Sequence, residues 1–365
     1  MKTLTRQLAI FFLGPLLSTV LTMSVAVDGP AQSYSLPHVG VFDLFSEGSD
    51  FCWAVVIRDV MNSKRTAYMA RTSINNEKWD VWHPSVPVSH IFFLNNKEGW
   101  GLTGAADKTS FARTTDGGLT WQLLRPFNQI PFRDSNIVDF RFQDSQSGWI
   151  IATLPAGSTQ TGQITDGGNN VHVVQNVSNQ YGIVRSISVT DARVWLFGTG
   201  SILYSEDHGD SWHQQLTVAN FSTNPNSLTI EEGSVGSDGH GVAVGGAGRG
   251  IVLITNNYGK HWTISLIAKE ETSFMSGSFW TSENGCVVGN LPVLYCTSDG
   301  GGTWTTRGTL PALAAGSSSE VPAYKKLVFL RGGQRGWVLT ADWRLFETSD
   351  GGWTWHEPHL LDQVR

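Results

Sequence analysis

Charged side chains recur inside short apolar runs of this sequence: Asp43, Asp139 with Arg141, Glu231 with Glu232, and Lys325. His90 and Arg185 sit in similar runs. Two carboxylates roughly 5–10 Å apart can hydrolyse a glycosidic bond. Asp43, Asp139, Glu231 and Glu232 are the residues that could supply them. Glu231 and Glu232 are adjacent, so on a strand they face opposite sides. No pair stands out, and the plainer reading is a polar, water-filled lining. Arg133, Arg141 and Arg185 admit two readings: a small cationic cluster, or separately solvated arginines. The Gly-rich stretch from Gly245 to Gly250 reads as a hairpin turn rather than a phosphate cradle. The 10 histidines show no ligand spacing. Neither a metal nor a cofactor is expected.

Composition limits what could position these groups. Gly is 40 of 365 residues, Trp 15, and charged residues only 15%. A disordered chain is charge-rich and aromatic-poor. Many Gly and many aromatics point to turn-rich β-structure. Lys2 and Arg6 precede an apolar stretch from Leu8 to about Val27, and Ser24-Val25-Ala26 offers small residues for cleavage. That is the layout of a signal peptide over residues 1–26, with an uncleaved signal anchor as the competing reading. Cleavage removes two cations and no acid, taking the net charge from −6 to −8. So acidic an exported chain is a poor nucleic-acid binder, and no later segment is apolar enough to enter a membrane. Two sequons, at Asn176 and Asn220, matter only in a eukaryotic host. Of three cysteines, Cys286 and Cys296 flank a turn, and a cross-strand disulfide and two buried thiols are both open; Cys52 is left over.

One eight-residue motif organises the rest. Thr114-Thr115-Asp116-Gly117-Gly118-Leu119-Thr120-Trp121 recurs as Ser205 to Trp212 around Asp207, Thr297 to Trp304 around Asp299, and Thr348 to Trp355 around Asp350. Thr255 to Trp262 carries Asn257 in place of Asp. Thr165-Asp166-Gly167-Gly168 keeps the turn but has Val171 where Trp is due, and Thr72 to Trp79 has Ile74 at the Asp position. The seven copies end at 79, 121, 171, 212, 262, 304 and 355, a mean step of 46 residues. A Gly followed by a bulky residue precedes most copies, as at Gly99-Trp100, Gly148-Trp149 and Gly336-Trp337, and another apolar run precedes that. Each unit therefore reads as four short antiparallel strands, which is a propeller blade. One blade cannot bury both its faces, so blades must pack around a channel. The expectation is an all-β, seven-bladed propeller of four-stranded blades over residues 40–365. Residues 27–39 form an N-terminal segment, and residues 33–40 are a possible ring-closing strand on the last blade. The first strand of each blade would line the channel, placing His90, Asp139, Arg141, Arg185, Glu231 and Lys325 in a funnel. The motif itself reads as structural: Asp accepts amides of its own turn and Trp covers it.

These residues resemble the Asp-box, or BNR, repeat. The run Gly99-Trp100-Gly101-Leu102-Thr103-Gly104 followed by Thr114 to Trp121 is most similar to the photosystem II stability/assembly factor family. That resemblance implies an exported seven-bladed propeller acting as a non-enzymatic assembly chaperone with a protein partner; a monomer is expected. That family is expected to present an arginine-rich surface, whereas basic residues here are sparse and scattered. Sialidases share the repeat, but no Arg here is followed by Ile/Leu-Pro. A carbohydrate-active propeller or lectin-like glycan binder using the funnel is the alternative.

Overall fold

A computed structural model describes residues 39–364 apart from 47–48, 61–63, 105–108, 128–131, 133–135, 155–156, 176–182, 192, 218–227, 247–248 and 313–323. The expected signal segment, residues 27–38, Arg133 and both sequons lie outside the described residues. Strands dominate the rest, grouped in seven antiparallel sheets whose members follow one another in sequence. These are the seven blades of a β-propeller. Their first strands are Val39–Phe45, Ile91–Phe93, Asn136–Phe142, Val184–Thr190, Thr229–Val235, Phe274–Phe279 and Tyr324–Phe329. Each touches the next, and Tyr324–Phe329 returns to Val39–Phe45, which closes the ring. Six blades have four strands; in the seventh the outer place is held by His356, bridged to Glu347. Val39 and Gly40 pair with Arg58 and Ile57 within the first blade.

The core lies between blades, where the tryptophans go. Trp53, Trp100, Trp149, Trp195 and Trp337, which open second strands, are fully buried. Trp53 donates its indole N–H to the Gly117 carbonyl at 3.1 Å, and Trp100 to that of Gly167 at 2.8 Å. In both cases a tryptophan of one blade docks on the eight-residue motif turn of the next. Gly117 can serve because its φ of 77° costs a residue without Cβ little.

Within the turn the motif residues bond as a set. Thr114 donates its hydroxyl to Asp116 at 2.8 Å and accepts the Gly118 amide at 2.9 Å; Asp116 accepts the Thr120 amide at 2.9 Å and hydroxyl at 2.6 Å. Asp207 and Asp299 repeat the pattern with Ser211 and Thr303, and Asp350 with Thr354. Asn257 accepts the His261 amide at 3.0 Å with the one oxygen it has. In the third blade Ile164, not a hydroxyl, faces Gly148, so Asp166 lacks that partner and takes φ 54°. In the first blade, where Ile74 replaces Asp, the Arg335 guanidinium enters from the seventh blade. It donates to Thr72 at 3.0 Å and to the Ser73 carbonyl at 2.8 Å, while paired with Glu347 at 2.6 Å. Cys286 and Cys296 face each other on adjacent strands and form a disulfide; Cys52 is buried and free.

The turn carboxylates carry a pH signature. The Ser211 hydroxyl and amide hold Asp207 down at about 2, and Thr303 does the same for Asp299, both from an ordinary value of 3.8. Desolvation pushes Asp350 up, but its bonds to Thr354 and Thr348 outweigh that and leave it at about 2. A folded pKa below the unfolded one gives stability that is present above the unfolded value and lost as pH falls through the folded one. The urea midpoint should therefore drop between about pH 4 and pH 2. A triple Asp207→Asn, Asp299→Asn, Asp350→Asn variant should fold at neutral pH, as the Asn257 turn does, with a flatter acid limb. An unchanged acid limb would mean that these bonds do not set the response.

Candidate functional site

The first strands carry one extra residue each in six blades. The ladder skips Phe42, Val138, Arg185, Glu231, Met275 and Lys325. Such bulges re-aim side chains. The residue after the bulge serves the neighbouring blade. Asp43 accepts the Ile91 amide at 2.8 Å, Asp139 the Ile187 amide at 3.1 Å, and Ser186 the Gly233 amide at 3.3 Å. Glu232 accepts the Gly277 amide at 3.0 Å and the Ser276 hydroxyl at 2.7 Å, and Ser276 in turn accepts the Leu327 amide at 3.0 Å. Five of the seven junctions are thus stitched by polar side chains, and Ser188 and Ser278 add a second bond at two of them, to the Val235 and Phe329 amides.

The other carboxylate oxygens meet cations or their own backbone. Arg141 lies 2.7 Å from Asp139, and Lys326 lies 3.2 Å from Glu232. Asp43 accepts the Leu44 amide at 2.9 Å. Burial raises Asp139 above the usual carboxylate range despite Arg141. Burial also opposes ionisation of Glu232, but the Lys326 charge and the bonds from Ser276 and Gly277 outweigh it and hold that carboxyl low. Burial works against the Lys326 ammonium too, and Glu232 turns the balance upward. These groups influence one another across the channel, so they form one cluster drawn from blades 1, 3, 5 and 7.

Of the residues expected in the funnel, Asp139 and Arg141 belong to this cluster. Arg185, Glu231 and Lys325 are bulge residues and do not join it. Arg185 and Glu231 form a pair of their own at 3.7 Å, and burial lifts the Glu231 carboxyl against the pull of Arg185. His90 packs edge-on against Phe42 at 5.4 Å. Lys326 was not signalled by its sequence position, and its pairing with Glu232 was not either. A clue was present: the stitching residues Asp43, Asp139, Ser186, Glu232 and Ser276 recur at close to the blade period or twice that, and Lys326 falls on the next position of the same series.

A cavity of about 1190 Å³ opens on the side of the motif turns, where Asn256 and Asp299 line it, and reaches Arg141, Glu232 and Lys326. Its lining mixes apolar groups such as Phe45 and Trp280 with polar ones such as Asp238 and Glu283. Among the described residues no group of three or more His, Cys, Asp or Glu is placed to hold a metal ion. Nor is any helix there long and apolar enough to cross a membrane.

No protein-family model and no curated protein matches this chain. Solved structures do. "YCF48 bound to D1 peptide" gives a TM-score of 0.55 at 16% identity, covering 85% of this chain and 93% of that one. YCF48 from Cyanidioschyzon merolae gives 0.59 at 16% identity, covering 86% and 97%. A GH74 xyloglucanase from Xanthomonas campestris gives 0.57 at 13% identity over 86% of this chain and 52% of its own, so this chain spans about half that enzyme. At such identities the likeness is one of fold.

The stitching makes the Glu232–Lys326 pair testable. Lys326→Met leaves a poorly solvated carboxylate without its cation and should cost about 1–3 kcal/mol in urea unfolding. Adding Glu232→Gln, which keeps an acceptor for Gly277, should recover part of the loss. A double variant no more stable than Lys326→Met would show that the pair is not coupled.

Proposed function

We propose that this chain is an exported, non-enzymatic scaffold that binds a protein partner. The observation that carries the reading is the engagement of the channel carboxylates. Every oxygen of Asp43, Asp139 and Glu232 holds an amide, a hydroxyl or a cation. A carboxylate that holds two blades together cannot swing to a substrate. What remains open is a wide cavity of mixed lining, which suits a protein segment better than one small substrate. One fold neighbour is YCF48 bound to D1 peptide, so a propeller of this shape can hold a peptide. Export is supported by Lys2 and Arg6 ahead of the apolar stretch, and by the Cys286–Cys296 disulfide, which persists in oxidising compartments.

A carbohydrate-active propeller is the second reading, and one observation favours it. Asp139 is raised and Glu232 lowered, the opposite directions that a general acid and its carboxylate partner need. A glycoside hydrolase is also among the fold neighbours. The two readings separate in one experiment. The tagged mature chain is used for a pull-down from its native compartment and, in parallel, assayed on chromogenic glycosides. A stable protein partner with no chromophore released is expected. Chromophore release that disappears in Asp139→Asn would replace the scaffold with a hydrolase.

A further inference from the structure

The mouth of the channel at the bulged residues holds a second feature, away from the cavity. Three channel cations have carboxylate partners: Arg141 with Asp139, Lys326 with Glu232, and Arg185 with Glu231. Lys325 has none among the described residues. Its ammonium instead lies 5.5 Å from the centre of the Trp343 ring. Trp343 continues into Phe42 at 4.7 Å, and Phe42 into His90 at 5.4 Å. Lys325 is exposed, while Trp343, Phe42 and His90 are half-buried. A cation thus stands beside an aromatic platform that is only partly covered.

Trp343 is an unusual residue for its backbone. It sits in the hairpin between the second and third strands of the seventh blade with φ 68°. Its carbonyl accepts the Val41 amide at 2.9 Å, which fastens the seventh blade to the first. That duty needs only the left-handed conformation, which Asn or Gly adopts with less strain than a bulky residue. The indole is therefore not explained by the turn. It packs against Phe42 and lies under the Lys325 ammonium.

We propose that this mouth binds a small carboxylate whose acid group adjoins a ring, the ring lying on Trp343 and Phe42 and the carboxylate meeting Lys325. An aromatic face accepts either an aromatic ring or the apolar face of a sugar, and an ammonium in a partly desolvated setting favours an anion. The shared chemistry has two sources, an acidic sugar and an arylcarboxylate, and the probes tell them apart.

The mature chain is titrated calorimetrically with methyl glucuronide and with phenylacetate, each beside its neutral counterpart, methyl glucoside and phenylacetamide. At least one carboxylate should bind, with its neutral counterpart about tenfold or more weaker, the value of one charge-assisted bond. Whichever carboxylate binds identifies the source. Lys325→Met, at an exposed position, should weaken that carboxylate by a similar factor. Trp343→Asn should abolish binding while the chain stays folded, because Asn suits the left-handed turn and keeps the carbonyl that holds the Val41 amide. Failure of both carboxylates to bind, equal binding of the neutral counterparts, or full binding by Trp343→Asn would overturn the assignment. None of these outcomes depends on whether a protein partner is found.

Discussion

A propeller exists only if its last blade meets its first, and in this chain that requirement governs the polar residues of the channel. Each first strand must offer something to the next, and the usual offer is an oxygen. Asp43, Asp139, Ser186, Glu232 and Ser276 all accept a backbone amide from the following blade. A buried amide left unbonded would cost on the order of 1–3 kcal/mol, so these acceptors are not optional. The two remaining junctions solve the problem differently. Between the second and third blades Phe92 meets Phe140 and Phe142, trading a hydrogen bond for aromatic contact. Between the seventh and first, the acceptor is the Trp343 carbonyl, reinforced by Arg335.

The repeat motif obeys the same logic at the rim. Its departures mark the places where another group supplies the missing bond. Asn257 keeps one acceptor and keeps the turn. Ile74 has none, and there the Arg335 guanidinium bonds the turn from outside. Arg335 is itself buried, so it needs Glu347 at 2.6 Å; a lone buried cation would be far more costly than the Asp it replaces. Degeneration in the first blade and the buried ion pair in the seventh are thus one event, located where the ring closes.

The fold was legible because it is written seven times, with Trp and Gly at fixed places that tolerate little variation. The site was legible only in part. Asp139 and Arg141 stand out as charges in an apolar run, and they do enter the channel cluster. Strict alternation then fails, because a bulge inserts one residue ahead of each stitching position. Glu231 and Glu232 do separate as neighbours on a strand should, but which of them stitches depends on the bulge at Glu231. Lys325 and Lys326 are divided in the same way. A bulge has no residue signature of its own here: Phe, Val, Arg, Glu, Met and Lys all occupy it. Pairings such as Lys326 with Glu232 cross 94 residues and depend on the curvature of the ring, which no local pattern encodes.

That indifference at the bulge has a functional meaning. Residues that stitch blades are fixed by the ring: short, polar and saturated. Residues that close turns are fixed by the turn. The bulge residues are skipped by the ladder, and their side chains make contacts of other kinds: Phe42 meets Trp343 and His90, and Arg185 meets Glu231. With the channel carboxylates committed to neighbouring blades, the groups that the ladder and the stitching leave least committed are the bulges and the loop residues beside them.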